Sequence, residues 1–523
     1  MVRPLPITVH LKNLLLFLLA LAPFLHTGAQ SGIGASGERI EILNADRGEY
    51  DDKIAPGAQR LKGNVRFKHK DAIMRCDSAY LYKDQRVQAF GRVAIDQGDT
   101  LHVEADRCTY SGSERTARLE GNVLMRNSDM ELTTPVLDYD LKNRKAYYTA
   151  GGRIVSRSGN NTLTSDVGTY ITNTRRFIFS RNVLIAHPER TITGDTMHYV
   201  TSSGVAEFFG PTEITQQNTT IHTLRGQYDT RNERARFTRR SVIDNQGRTL
   251  EGDSLHYERK TGEGLAWGNV VVSDTASDMV VRGDHGRYNE VTDKAVITGR
   301  AELELRMDKD TLFLHGDTLF TTPDSTGKRI TARRHVRFFR SDLQGACDTL
   351  IYSDADSLIS LFHAPVLWSG TDQITGDHIR IALRNGKADK LHVEHNAFLV
   401  SQVDTIHYDQ VTGTEMTGLF GDDGLRSLYV EGNARTVYFA EEMKDGVERI
   451  MGVNRADCSR IRVELKDGKI HTVNFLDRPD AVLYPLEKAP PEELRMKGSE
   501  WRADERPRDR ADIFRSVAAG GAP

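Results

Sequence analysis

The residues whose spacing most invites a chemical reading are aspartates. Asp46, Asp77, Asp106, Asp166, Asp195, Asp253, Asp284, Asp317, Asp348, Asp377 and Asp457 fall in one column, completed by Pro135, Leu224 and Thr414, at intervals of 29–33 residues that widen to 37 and 43 at the end. Stacked carboxylates bind calcium in β-rolls, but those rolls repeat in about nine residues and carry several Asp and Gly per turn. One Asp per repeat fits a corner instead, its carboxylate accepting a backbone N–H. Of the four cysteines, Cys76 and Cys347 directly precede a column Asp, whereas Cys108 lies two after and Cys458 one after. No two share a column in adjacent repeats, and bridging a three-residue offset would exceed the ~7 Å Cα limit of a disulfide. They read as small inward packing residues. His198 and His256 recur three after the Asp, at a position that alternation turns outward, so solvent-facing imidazoles are expected rather than metal ligands. A nucleophile elbow, a phosphate loop and zinc spacing are all missing. The sequence therefore offers no catalytic residue, no metal site and no cofactor, and an enzyme is not expected.

A second column holds these positions in place. Gly63-Asn64-Val65, Gly91-Arg92-Val93, Gly121-Asn122-Val123, Arg181-Asn182-Val183, Gly268-Asn269-Val270 and Gly432-Asn433-Ala434 mark it, and it interleaves with the Asp column about every 15 residues. Each half-repeat alternates apolar and polar residues, the period-2 signature of a strand with one buried face. In the Gly half the inward positions lie two before and two and four after the Gly, as in Ala89, Val93 and Ile95. In the Asp half they lie three and one before and two and four after, as in Ile192, Gly194, Met197 and Tyr199. The step across the Asp is odd, which places a bulge or corner there, and the residue before the Asp is always Ala, Cys, Thr, Ser or Gly. Turns such as Asn385-Gly386 and Asp467-Gly468 suit tight antiparallel reversals. The expectation is about 27 bent strands stacked on one axis. They would span ~130 Å if every half-repeat is its own strand at ~4.8 Å, or ~65 Å if each full repeat is one layer. Four after the Asp stands a tyrosine in 9 of the 14 cases, either filling space between sheets or bordering a groove with hydroxyls toward its opening.

Composition agrees with a thin body. Of 523 residues 38 % are hydrophobic, and 70 Lys+Arg face 73 Asp+Glu, for a net charge of −3. That balance argues against a nucleic-acid binder held by charge. The start of the chain, with Arg3 and Lys12, an apolar run over 14–22, and Thr27 and Ala29 as small residues before Gln30, has the form of a secretory signal cleaved near Ala29. Five prolines lie between Arg60 and Arg478, and six crowd residues 479–523. Because sheets confine proline to edges, bulges and strand starts, the expected organisation is a signal peptide over 1–29, a β-repeat body over 38–478 and a Pro- and charge-rich tail over 479–523.

The alternation of Gly-Asn-Val strands with Leu/Ile-x-small-Asp-x-x-x-Tyr strands resembles the OstA-like (organic solvent tolerance) family over about residues 38–478. Gln410 to Met416, Val430 to Ala434, Pro485 to Lys488 and Glu500-Trp501-Arg502 resemble its long members in particular. The resemblance implies an all-β, V-shaped jelly-roll (a β-taco) of stacked antiparallel strands, divisible into two or three consecutive units. It implies a periplasmic protein that holds the acyl chains of lipopolysaccharide in an apolar trough during outer-membrane assembly. Its partners would be an inner-membrane extractor, an outer-membrane translocon and further copies of itself joined end to end. The lipid-facing residues would be inward positions such as Val65, Phe67, Val93, Ile95, Val123, Val183, Ile185 and Val270. Two departures stand out: the array is longer than in a short bridge protein, and no barrel follows it. A structural or adhesive solenoid without lipid cargo is the competing expectation.

Overall fold

The computed structural model describes residues 39–515, apart from residues 51–52, 54–55, 99–100, 158–159, 308–309, 422–423, 445–446 and 467–468 in the turns. The signal segment and the Asp467-Gly468 turn lie outside the described residues. The strands run from Glu41–Asn44 to Asp480–Pro485 in a single antiparallel sheet. Eighteen strands run unbroken and ten pairs of half-strands are interrupted at the corner, which makes 28 rungs, each paired with its predecessor in the chain. Every half-repeat is thus its own rung, and 27 intervals of ~4.8 Å give a length of about 130 Å. The rung beyond the expected count is formed by Lys469–Leu476 and Asp480–Pro485, with Asp477 and Arg478 at its corner.

The corner differs in two respects from the sequence expectation. Its special backbone lies in the Gly column rather than at the Asp. Gly63 and Asn64 have φ of 76° and 44°, and the same consecutive left-handed pair recurs at Gly91/Arg92, Gly121/Asn122, Gly268/Asn269 and Gly432/Asn433. Only Gly, Asn and a few polar residues adopt that conformation readily, which explains the column's composition. The Asp of the preceding rung covers the pair. Its own N–H donates to the Gly carbonyl, as from Asp46 to Gly63 at 3.0 Å and from Asp253 to Gly268 at 2.9 Å. Its carboxylate accepts the Asn side chain, at 3.0 Å for Asn64, 2.9 Å for Asn122, 2.8 Å for Asn182 and 2.7 Å for Asn269. The carboxylate's partner is therefore a side-chain amide, not the expected backbone N–H, and Arg92 replaces it with a guanidinium at 2.7 Å from Asp77.

Bending every rung at this clasp folds the sheet into two layers with their apolar faces together. One contiguous core runs from Leu61 to Ile470. The small residue before the Asp is buried at the inner corner, as at Cys76, Ala105 and Ala456. All four cysteines are free, and burial pushes the Cys76 thiol up to about 12. His198 and His256 lie on the outer face but are half-buried, against Phe209 (4.5 Å between ring centres) and Trp267 (4.8 Å).

After the last rung the chain turns back. Four short 3-10 turns, Leu486–Lys488, Pro491–Glu493, Ala503–Glu505 and Ala511–Phe514, carry it over the outer face of one layer. Leu494, Met496 and Trp501 cover Phe398, Val400, Val437, Phe439 and Val453. Further along, Arg502 N–H donates to Gln373 (2.7 Å), Arg506 to Gln344 (2.8 Å) and Arg510 to Glu302 (2.6 Å). Under this strap both faces of a layer are buried, so Val366-Leu367-Trp368 and Ala397-Phe398-Leu399-Val400 are continuous apolar runs rather than alternating ones.

Candidate functional site

The interior is the candidate site, and its geometry follows from the alternation. Val65, Phe67, Val93, Ile95, Val123, Val183, Ile185 and Val270 all point into it, each no more than 3 % exposed. Their neighbours are equally apolar: Phe177 and Phe179 stack at 5.1 Å, and Tyr170 lies on Phe177 at 4.4 Å. At side chains of this size burial stabilises by roughly 1.5–3 kcal/mol each.

The free rims of the two layers, opposite the corners, meet along a seam. The column tyrosines form one side of it. The Tyr110 hydroxyl meets Nδ1 of His69 at 2.7 Å, Tyr139 donates to Gln97, and Asn127 donates to Tyr170 at 2.7 Å. His69, Gln97 and Asn127 each stand six residues after a Gly-column glycine, where the inward series ends in a polar side chain. Each pairs with a tyrosine 41–43 residues later, three rungs on, so the layers cross instead of stacking in register. Ion pairs cross the seam as well: Arg115 with Asp71 at 2.5 Å and Arg175 with Asp129 at 3.0 Å at the same offset, and Lys328 with Asp274 at 2.8 Å four rungs apart. The tyrosines thus fill the interior with their rings and close its opening with their hydroxyls. Burial pushes the Tyr110 phenol up to about 12 and His69 below the usual imidazole range, so the pair is neutral at pH 7.

Each rim is also tied along its length. Backbone N–H groups of one turn donate to the turn two rungs back, as Leu141 to Arg115 (2.9 Å), Thr172 to Arg144 (3.1 Å), Thr201 to Arg175 (3.0 Å) and Thr230 to Gly204 (2.9 Å). These bonds run along the rims and do not cross the seam.

The interior is filled by its own side chains where it is described. A gap of about 20 Å³ lies near the first rungs, between Ile40, Phe67, Met74, Ile95 and Tyr110. Wider openings lie outside: an open cleft of about 750 Å³ beside Pro135 and one of about 430 Å³ beside Leu224, where the Asp column is broken, and one of about 660 Å³ beside Asp284. Among the described residues no group of three or more His, Cys, Asp or Glu side chains is placed to hold a metal ion.

Residues 37–195 match the family model described as OstA-like protein. No curated protein matches the chain. The matched segment ends at the corner Asp195, and the same clasps, rims and inward columns continue for a further seventeen rungs beyond it.

Proposed function

We propose that this chain, OstA-like over residues 37–195, is a non-enzymatic periplasmic carrier of lipopolysaccharide that shields acyl chains between its two layers and bridges inner to outer membrane. The observation that carries this reading is the uninterrupted apolar core from Leu61 to Ile470, bounded on one side by corner clasps and on the other by side-chain contacts alone. Acyl chains enter by parting the seam and replace contacts among Val65, Phe67, Val93, Ile95, Val123, Val183, Ile185 and Val270, while sugars stay in water at the rim. Each repeat offers equivalent apolar surface, so a chain meets similar affinity at every step and slides under the push of lipid loaded behind it by an inner-membrane extractor. Delivery is to an outer-membrane translocon, and the outermost rungs, with Ile42, Leu43 and Tyr50 exposed at one end and Val482 and Leu483 at the other, are edges for strand pairing with partners or further copies.

Photo-crosslinkers at Ile95 and Val183, in cells, test this directly. Adducts with lipopolysaccharide at these sites, and none at the outward-facing Thr109, are expected; equal reaction at Thr109 or no adduct anywhere refutes it. Depletion of the protein is expected to stop newly made lipopolysaccharide from reaching the outer membrane. The dense filling of the interior favours a second reading, a structural solenoid without cargo, and the same crosslinks decide between the two.

A further inference from the structure

The tyrosine pairing of the seam is broken between Gln216 and Tyr257. Counting six after Gly210 gives Gln216, and three rungs on stands Tyr257, yet Tyr257 donates instead to Glu290 at 2.9 Å and the buried amide nitrogen of Gln216 has no partner. Two rungs earlier, Tyr228 is fully buried and its hydroxyl is unpartnered as well. Beside it lies Arg190, only 5 % exposed, its guanidinium 5.6 Å from the Tyr228 ring centre. One Nη of Arg190 donates to the Thr230 carbonyl at 2.7 Å and the other lies 3.6 Å from Glu233, but Nε makes no hydrogen bond. A buried Nη of Arg259 is likewise unpartnered, and the Arg259 backbone donates to Glu233 at 3.1 Å, which places the two arginines on neighbouring turns of the seam.

Unpartnered buried polar groups cost about 1–3 kcal/mol each and charged ones more. Chance omissions would mix donors with acceptors. Between Arg190 and Arg259 the unpartnered seam groups are all able to donate and two belong to guanidiniums; further along, an unpartnered oxygen of Asp293 lies 3.7 Å from Lys328. Arginine presents donors in a planar fork that matches phosphate oxygens, and such contacts are roughly twice as strong as neutral hydrogen bonds. Glu233, Asp229 and Glu290 are the carboxylates nearby; Asp229 is occupied by the N–H groups of Arg231 and Asn232, each at 2.9 Å, and Glu290 by the Tyr257 hydroxyl.

We infer that Arg190, Tyr228 and Arg259, with Gln216 at the next seam position, form a binding site for a phosphate group. Its position on the rim, at the boundary between apolar interior and water, is where the phosphorylated headgroup of an amphiphile would sit with its chains between the layers. This step rests on the lipid-carrier reading above.

The test compares binding of lipopolysaccharide and of the same lipid dephosphorylated, to the mature chain and to its Arg190→Gln, Arg259→Gln and Arg190→Lys variants. The native protein is expected to bind the phosphorylated lipid at least tenfold tighter. That preference should shrink toward one in Arg190→Gln and Arg259→Gln and persist in part in Arg190→Lys, with affinity for the dephosphorylated lipid unchanged. Because Arg190 is buried, circular dichroism and thermal unfolding accompany each variant, and the less buried Arg259 carries the test if Arg190→Gln unfolds. Equal affinity of the native protein for both lipids, or a preference that survives in the folded Gln variants, overturns the site but not the carrier. Failure of both lipids to bind overturns the carrier reading, and the headgroup assignment with it. Inorganic phosphate that raises the thermal midpoint of the native protein and not of Arg259→Gln, without discrimination between the lipids, assigns the site to a free anion and also overturns the headgroup role.

Discussion

Replacing Asp372 with Asn should stabilise the strapped end of the molecule at neutral pH and flatten its pH dependence. Asp372 closes the turn between Val366–Ser369 and the next half-strand, is 2 % exposed and leaves one carboxylate oxygen unpartnered. The strap crosses immediately above, through Gln373 to Glu500 (2.7 Å) and Arg506 to Gly370 (2.8 Å). Burial pushes the carboxyl from its ordinary 3.8 up to about 7, with Ser401 and Arg506 only partly offsetting it. A group whose folded pKa is raised holds its proton after the unfolded chain has released one, so stability falls as pH rises from about 4 to about 7 and is level above. Three pH units at ~1.4 kcal/mol each set an upper bound on the order of 4 kcal/mol for this one residue. Asp409, also buried and raised to about 7 by desolvation, adds a slope of the same sign. A stacked array opens locally, so amide exchange read by mass spectrometry over Phe398–Val400, Phe439 and Met496 is the fitting assay. Protection there is expected to decrease between pH 5 and pH 7.5 in the native chain and to decrease less in Asp372→Asn, where the Asp409 share remains. A native profile in which protection rises with pH, or an Asn variant with the same slope as the native chain, would show the reasoning to be wrong.

Three further outcomes are expected. Gly91→Ala puts a Cβ at φ +72° and 2.5 Å from a carboxylate oxygen of Asp77, costing about 1–3 kcal/mol for the strained backbone; urea unfolding of the single and of the Asp77→Ala double variant should show less than additive losses. His69 is held below its ordinary 6.5 by burial, so the seam at the first rungs should lose stability as pH falls below about 6.5, seen as faster amide exchange over residues 67–74, and His69→Gln should remove that dependence. Phe179→Ala removes a fully buried ring stacked on Phe177 and should cost about 3–5 kcal/mol in thermal or urea unfolding, whereas an outward change such as Thr109→Ala should stay within about 0.5 kcal/mol.

The parts of this fold that were legible in the sequence are those with local causes. A left-handed corner favours Gly or Asn, a clasp takes Asp one rung earlier, and a half-buried strand needs alternation, so Gly121, Asn122, Asp106 and Val123 announce themselves within 20 residues. The bulge is expected at the Asp because the inward count breaks on the Asp strand alone, whereas φ turns positive on the Gly strand. The seam was hidden by distance: Asn127 and Tyr170 are 43 residues apart, and nothing local indicates that two layers cross by three rungs. Its trace was the polar residue ending each inward series, His69, Gln97 and Asn127. The strap left a trace too, in the apolar run Ala397-Phe398-Leu399-Val400, which marks a strand covered on both sides. Asp477 and Arg478 carry the last corner without Gly or Asn, and residue type could not reveal it.

Whether a filled interior can take up an acyl chain turns on the relative strengths of its two boundaries. On the corner side each rung is held by its continuous backbone, a strand-to-strand ladder and a clasp. Across the seam, three rungs are held by about one tyrosine hydrogen bond and one or two ion pairs. A net hydrogen bond is worth about 0.5–1.5 kcal/mol, and partly exposed ion pairs about 0–1 kcal/mol each, so opening such a stretch forfeits roughly 0.5–3.5 kcal/mol at the rim. An acyl chain of about a dozen methylenes moved out of water gains about 0.8 kcal/mol per CH₂, near 10 kcal/mol in all. The interior side chains, having parted, regain apolar contacts with the inserted chain. The balance therefore favours local opening with lipid in place and closure without it. Because rim turns are bonded two rungs apart along the seam, an opening at one turn strains its neighbours on either side. Replacing Asp71 and Arg115 with cysteines and joining them across the seam with a cleavable bifunctional thiol crosslinker should consequently block lipid uptake at the first rungs while leaving the fold intact, and cleaving the linker should restore it; uptake that persists through a locked seam would place the lipid somewhere other than between the layers.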